Sequence, residues 1–191
     1  KMVGRGYGRI VNIASLAGQN GGSATGAYNH VWTSGAAVLP SFSHEVGHPE
    51  VPSYSVEIGC VANTLTLPLA RSGNFNASLA VIAQNTVQGE ASIAGSPTTY
   101  DYERFSHFSA QVEDGGVPMA ELTSGSIVLS NNLEAVEVIR RDGAIAGADP
   151  GKFSARGEYA LLFSNTSIRT RAEAAETLNL VHSWSAGPNK S

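Results

Sequence analysis

Apolar and polar side chains alternate one for one over much of the chain, the repeat expected of strands that turn one face inward. Tyr28, His30 and Trp32 alternate with Asn29, Val31 and Thr33, which predicts a strand running into the turn-like "TSG". Tyr54, Val56 and Ile58 mark a second short strand. Leu65, Leu67 and Leu69 share one face, "ARSGN" supplies a reversal containing Gly73, and Phe75, Ala77, Leu79 and Val81 return on one face. This is the clearest hairpin in the sequence.

A polar stretch, "NTVQGEASIAGSPTTYDYERF", then interrupts the alternation, and residues 85–102 are expected to form a long loop or arm. Alternation resumes at Phe108, Ala110 and Val112 and breaks at "EDGG". Strands follow through "GSIVLSN", with Ile127 and Leu129 on one face, and through "LEAVEVI", with Leu133, Ala135 and either Glu137 or a local bulge. After the turn-rich "RRDGAIAGADPG", the segment "KFSARGEYALLF" sets Phe153, Ala155, Gly157, Tyr159, Leu161 and Phe163 against Ser154, Arg156 and Glu158, the cleanest strand of all. One helix is predicted in "SNTSIRTRAEAAETLNLV", capped by Ser or Thr near 166–167 and favoured by Ala172, Glu173, Ala174 and Ala175. It should end near Thr177, because Leu178, Leu180, His182 and Trp184 alternate again. Seven or more strands with one or two short helices make a mainly β fold, an antiparallel sandwich or barrel. The expected organisation is a single domain over 1–191. The chain starts at Lys1 rather than Met and stops soon after a strand-like run, so one or both ends are expected to be incomplete.

Composition narrows the function. At 191 residues the chain suits one domain or two small ones. Its charged fraction of 15% is well below the roughly 25% of an average soluble domain, which favours strands and turns over charge-laced helices. A net charge of −4 offers none of the clustered Lys and Arg needed to neutralise phosphates, so DNA is not expected to be gripped. Cys60 is the only cysteine, which excludes an intrachain disulfide and a thiolate zinc cluster and suits an intracellular origin. No apolar run reaches the ~18 residues of a membrane span, and "KMVGRGYGRI" lacks the apolar core of a signal peptide.

Three patterns raise the question of catalysis. His44, Glu45 and His48 spell H-E-x-x-H, in which a helix would bring both imidazoles to one zinc and leave the glutamate to polarise a water. Pro49 directly after His48, with Pro40, Gly47 and Pro52 nearby, disfavours that helix. In an extended segment the two histidines lie about 13 Å apart along the chain, too far for a shared metal. Over 8–32, "GRIVNIASLAG" followed by "AYNHVW" resembles the short-chain dehydrogenase family, with Ser15 and Tyr28 at that family's Ser and Tyr positions. The resemblance implies a general-acid Tyr. Trp32, however, occupies the place of the Lys that lowers its pKa, and no glycine-rich dinucleotide loop is present. Cys60 as a nucleophile has no histidine set beside it by any motif, and a buried small hydrophobe is the ordinary role of a lone Cys. No catalytic, cofactor-binding or metal-binding residue is therefore assigned.

The longest resemblance involves no chemistry. "AYNHVWTSGA", "GHPEVPSYSVEIGCVANTLTLPLARSGNFNASLAVIAQ", "GSIVLSNNLEAVEVIRRDGAIAGADPGKFSARGEYALLF" and "TRAEAAETLNLVHSW" occur in the order seen in the tail tube proteins of long-tailed bacteriophages and related gene transfer particles. The chain resembles that family from about Gly26 to Trp184. The resemblance implies a non-enzymatic virion protein. Six copies would close into a ring with a continuous inner β-barrel, rings would stack into a tube, and neighbouring tail proteins would be its partners. DNA would pass through the lumen during ejection without specific binding, and an acidic lining would help it slide. Assembly is expected in the host cytoplasm, without cofactor, metal or membrane. The competing classes are an enzyme, either a dehydrogenase fragment using Ser15 and Tyr28 or a zinc hydrolase using His44, Glu45 and His48, and a β-sandwich binding module.

Overall fold

The computed structural model describes residues 38–94, 104–164 and 166–184, and the account below concerns these. The predicted strand at Tyr28–Trp32 and the pair Ser15 and Tyr28 lie outside them.

The described chain forms strands β1 (Ser41–His48), β2 (Ser53–Leu69), β3 (Ser78–Ile82), β4 (Asn85–Gly89), β5 (Ala110–Asp114), β6 (Val117–Pro118) and β7 (Leu122–Ser130). Then come β8 (Glu134–Val136), β9 (Gly147–Asp149), β10 (Ser154–Leu161) and β11 (Leu180–Trp184), with a 3-10 turn at His107–Ser109 and one helix, α1 (Ser167–Glu173). A six-stranded sheet follows the order β1-β2-β7-β10, with β3 and β4 also paired to β2. β11, β5 and β6 make a second sheet, and β8 and β9 a third. The pairings of β1 and β4 with β2, of β11 and β6 with β5, and of β8 with β9 are all antiparallel. The fold is mainly β with antiparallel sheets, as the alternation predicted. Among the described residues no sheet closes into a barrel.

Two compact units divide the chain, one with described residues 38–65, 78–94 and 128–155, the other with 66–77, 104–127, 156–164 and 166–184. In the first, β2 supplies the core through Val56, Cys60, Ala62 and Leu65, joined by Ala144 and the buried amide of Asn131. Gly59 breaks the β2 ladder with a φ of 65°. Phe42 pairs with Cys60 but His44 with Glu57, so β2 carries one extra residue there, a bulge. Asn131 donates from its backbone N–H to Asn63 O at 2.8 Å and from its side chain to Ala62 O at 2.9 Å. Asn63 Oδ1 accepts from Leu133 N–H at 2.9 Å, so the "NN" after β7 is tied to β2 by its amides.

In the second unit Leu69, Val112 and His107 are buried, and Phe75 packs on Trp184 with ring centroids 4.6 Å apart. The sequence "EDGG" closes the β5–β6 hairpin: Asp114 pairs with Val117, and Gly115 and Gly116 take φ of 59° and 83°. Both central residues are left-handed, the type I′ pattern that matches strand twist.

Several predicted elements differ from the structure. The start of the stretch expected as a loop over 85–102, Asn85–Gly89, is β4 and pairs with β2. The strand expected from Phe108 begins at Ala110, after the 3-10 turn that Ser106 caps. The return strand expected from Phe75 begins at Ser78, because Phe75 N–H donates to Phe105 O at 2.9 Å and its ring contacts Trp184 and His107. The strand expected through "LEAVEVI" ends at Val136. There Gly143 N–H closes a turn on Arg140 O, and Arg140 grips the Asp142 carboxylate through two nitrogens at 3.0 and 2.7 Å. Helix α1 stops at Glu173, short of Thr177, because Ala175 adopts a φ of 52° and the chain turns to enter β11.

Candidate assembly surfaces

His44, Glu45 and His48 all lie on β1, so the H-E-x-x-H sequence is strand rather than helix. His44 sits opposite Glu57 in the ladder. Glu45 instead accepts hydrogen bonds from Ser92 Oγ at 2.6 Å and Ile93 N–H at 2.8 Å. His48 is exposed beside Glu50, 3.8 Å away. Alternation along a strand puts a residue on the face opposite to that of its neighbour, which separates Glu45 from both histidines. Among the described residues no cluster of three His, Cys, Asp or Glu is placed to hold a metal.

Cys60 is fully buried and its Sγ–H donates to Glu57 O at 3.5 Å. Burial pushes its pKa up, and the Glu57 carboxylate adds to the shift. The thiol stays protonated and therefore a poor nucleophile.

One titratable pair escaped the sequence reading. Tyr159 on β10 and His182 on β11 share a hydrogen bond between the phenol oxygen and Nε2 at 3.0 Å, with rings stacked at 5.7 Å and 18°. The signal was present, since each residue sits in the inward set of its own alternation, but nothing in the sequence aligns the two strands. A Cβ on Gly125 would fall 3.0 Å from the Tyr159 ring, and one on Gly157 would fall 2.6 Å from its hydroxyl. The ring thus lies against two glycines. Burial raises the Tyr159 pKa and lowers that of His182, so both stay neutral near pH 7. An activated phenolate would need the opposite shift at the tyrosine.

The surface is more distinctive than any cleft. Among the described residues seven apolar side chains are buried, whereas sixteen large hydrophobic ones are exposed, including Val38, Ile93, Phe108, Ile139, Leu162 and Phe163. Isolated exposed apolar residues are ordinary, but here they outnumber the core. β10, the cleanest alternation in the sequence, ends the path of the six-stranded sheet, and its first five residues are exposed. An edge strand of that length leaves backbone donors and acceptors open to pairing.

A mainly β chain with a sparse core, open sheet edges and an apolar surface has the makings of a structural component that is covered by other subunits. The comparison with known families agrees: the profile of the phage tail tube protein family matches residues 12–190, and the chain belongs to that family. Membership makes it a structural protein of the virion tail and implies assembly with other tail subunits. No curated protein matches the chain. Among the described residues no helix is long and apolar enough to cross a membrane.

Proposed function

We propose that the chain is the repeating subunit of a phage tail tube, closing as a hexameric ring by head-to-tail contacts and stacking into a hollow conduit for DNA. The family match over residues 12–190 carries the reading. The exposed apolar side chains and the open edges of β1 and β10 support it, because rotationally closed contacts between copies cover such surfaces. In the ring, edge strands of neighbouring subunits pair into an inner β-barrel, which turns an aggregation hazard into the assembly contact. The 191 residues act as one tail-tube domain, and the loop or arm expected within 85–102 serves contact with a neighbour. Assembly takes place in the host cytoplasm.

DNA passes without specific binding. The net charge of −4 supports a lining that repels phosphate rather than holding it. The protein requires no cofactor and carries out no reaction in this role.

Negative-stain microscopy of the purified full chain, with its mass by light scattering, tests the proposal. Rings or tubes of sixfold symmetry are expected. Dispersed monomers at all protein concentrations would overturn it, and a strongly positive channel in a solved ring would overturn the sliding argument alone.

A further inference from the structure

Two exposed features of the described chain have opposite shapes. Beyond β8, Val138 and Ile139 project from the chain, and Ile139 is 107% exposed, as free as an extended reference residue. Arg140 and the exposed Arg141 follow, with Asp142 paired to Arg140 at 2.7 Å. The tip is an isoleucine knob followed by two guanidiniums and one carboxylate.

The second feature is a concave groove of about 210 Å³ where β10 hands over to α1. Leu161, Leu162 and Phe163 form one wall, and Ile168 and Ala172 of α1 the other. Phe163 is 76% exposed. Glu121 and Arg169 stand at the groove, and Arg169 is bound to Glu173 at 2.8 Å, giving two carboxylates against one guanidinium. Glu121 is fixed in place by the Ser164 hydroxyl, which donates to it at 3.0 Å.

A drug-sized ligand site spans at least ~300 Å³, so the groove is too small for one. At about 30 Å³ per water, it has room for several waters or for one or two apolar side chains. Its walls are apolar and its charge is opposite to that following Ile139. We infer that the Val138–Ile139 knob of one copy docks in the β10–α1 groove of a second copy, with Arg141 facing Glu121. This inference rests on the tube reading and assigns that reading a specific heterologous contact, in which each copy offers one knob and one groove.

Such a contact has a signature that a symmetric one lacks. Ile139→Asp destroys the knob and leaves the groove, while Phe163→Asp does the reverse. Both positions are exposed, so each variant is expected to fold, which circular dichroism checks. At concentrations where the wild type assembles, each variant alone should run as a monomer in sedimentation velocity. A 1:1 mixture should give a dimer and nothing larger, because only one knob and one groove survive between the two copies. The milder Ile139→Ala should raise the wild-type critical concentration roughly tenfold to a hundredfold. Arg141→Glu and Glu121→Arg should each weaken assembly, and the double variant should recover it.

Assembly of either aspartate variant like the wild type would overturn this contact and leave the tube reading standing, as would a mixture that stays monomeric. Loss of assembly in Phe163→Asp alone would mean that the groove has another occupant, and that too overturns the pairing. A wild type that never assembles would overturn both readings.

Discussion

Gly59 has a role that its neighbours in β2 could not fill. Its φ of 65° is costly for any residue with a Cβ, and a Cβ there would meet Gln84 at 2.9 Å. Gln84 cannot readily retreat: its N–H donates to Ile58 O at 2.9 Å, its side chain to Ala146 O at 3.0 Å, and its own carbonyl accepts from Ile145 N–H at 3.2 Å. Gly59→Ala is expected to cost about 1–2 kcal/mol in denaturant unfolding, the left-handed penalty plus a small displacement. At His182 the expected effect depends on pH. Burial holds its folded-state pKa below the ordinary value, so between those two values the unfolded chain binds more protons. The contribution is complete above about pH 6.5 and is lost as pH falls through the folded-state value. Melting temperature should therefore drop on acidification from pH 7 to pH 5, and His182→Phe should flatten that part of the profile. The bulge and the Tyr159–His182 pair were illegible for the same reason. Periodicity shows which side of a strand is inward, but not the register that places Gln84 beside Gly59 or His182 beside Tyr159.

Among the elements, α1 is tied to β5 through Arg171. Arg171 donates to the Asp114 carboxylate at the end of β5 and to Glu176 at 3.1 Å, and Asp114 also accepts from Asn179 N–H at 2.9 Å. The Arg171 guanidinium holds the Asp114 carboxyl below the usual range. Thr166 at the helix start makes no side-chain capping bond, so this seven-residue helix has little intrinsic support. Arg171→Met should speed amide exchange across α1 and at Asn179 more than elsewhere in the chain, with the global unfolding midpoint little changed. The contrast in legibility is physical. The "EDGG" reversal could be read from the letters because two left-handed residues are a local demand that glycine meets. The early end of α1 could not, because it follows from a left-handed residue that is not glycine, Ala175, where the chain turns to enter β11. Phe75 likewise leaves the strand its neighbours predicted because Trp184 and His107, distant in sequence, hold its ring.

For the molecule as a whole, stability and assembly should be difficult to separate. Burying a large aliphatic side chain contributes roughly 1.5–3 kcal/mol, and in the described chain more such side chains are exposed than fully buried. Subunit contacts that cover them would stabilise the folded form by mass action, so melting temperature should rise with protein concentration, which differential scanning fluorimetry over a hundredfold dilution series would reveal. Concentration-independent melting would mean that the subunit is stable without its neighbours. The mainly β class and the family were legible because alternation and the order of segments persist through the chain; the exposure of β10 was not, since an inward-looking period is identical whether a strand faces its own core or a neighbour's. One consequence lies in mechanics. β2 is 17 residues long, with the Gly59 bulge between its Ser53–Ile58 and Cys60–Leu69 parts. Pulled along its axis, such a strand shares the load among all its ladder bonds, except at Gly59, where the pairing with β1 slips. Under tension the strand should yield there first, so the residue that lets the sheet bend would also set the force at which it tears.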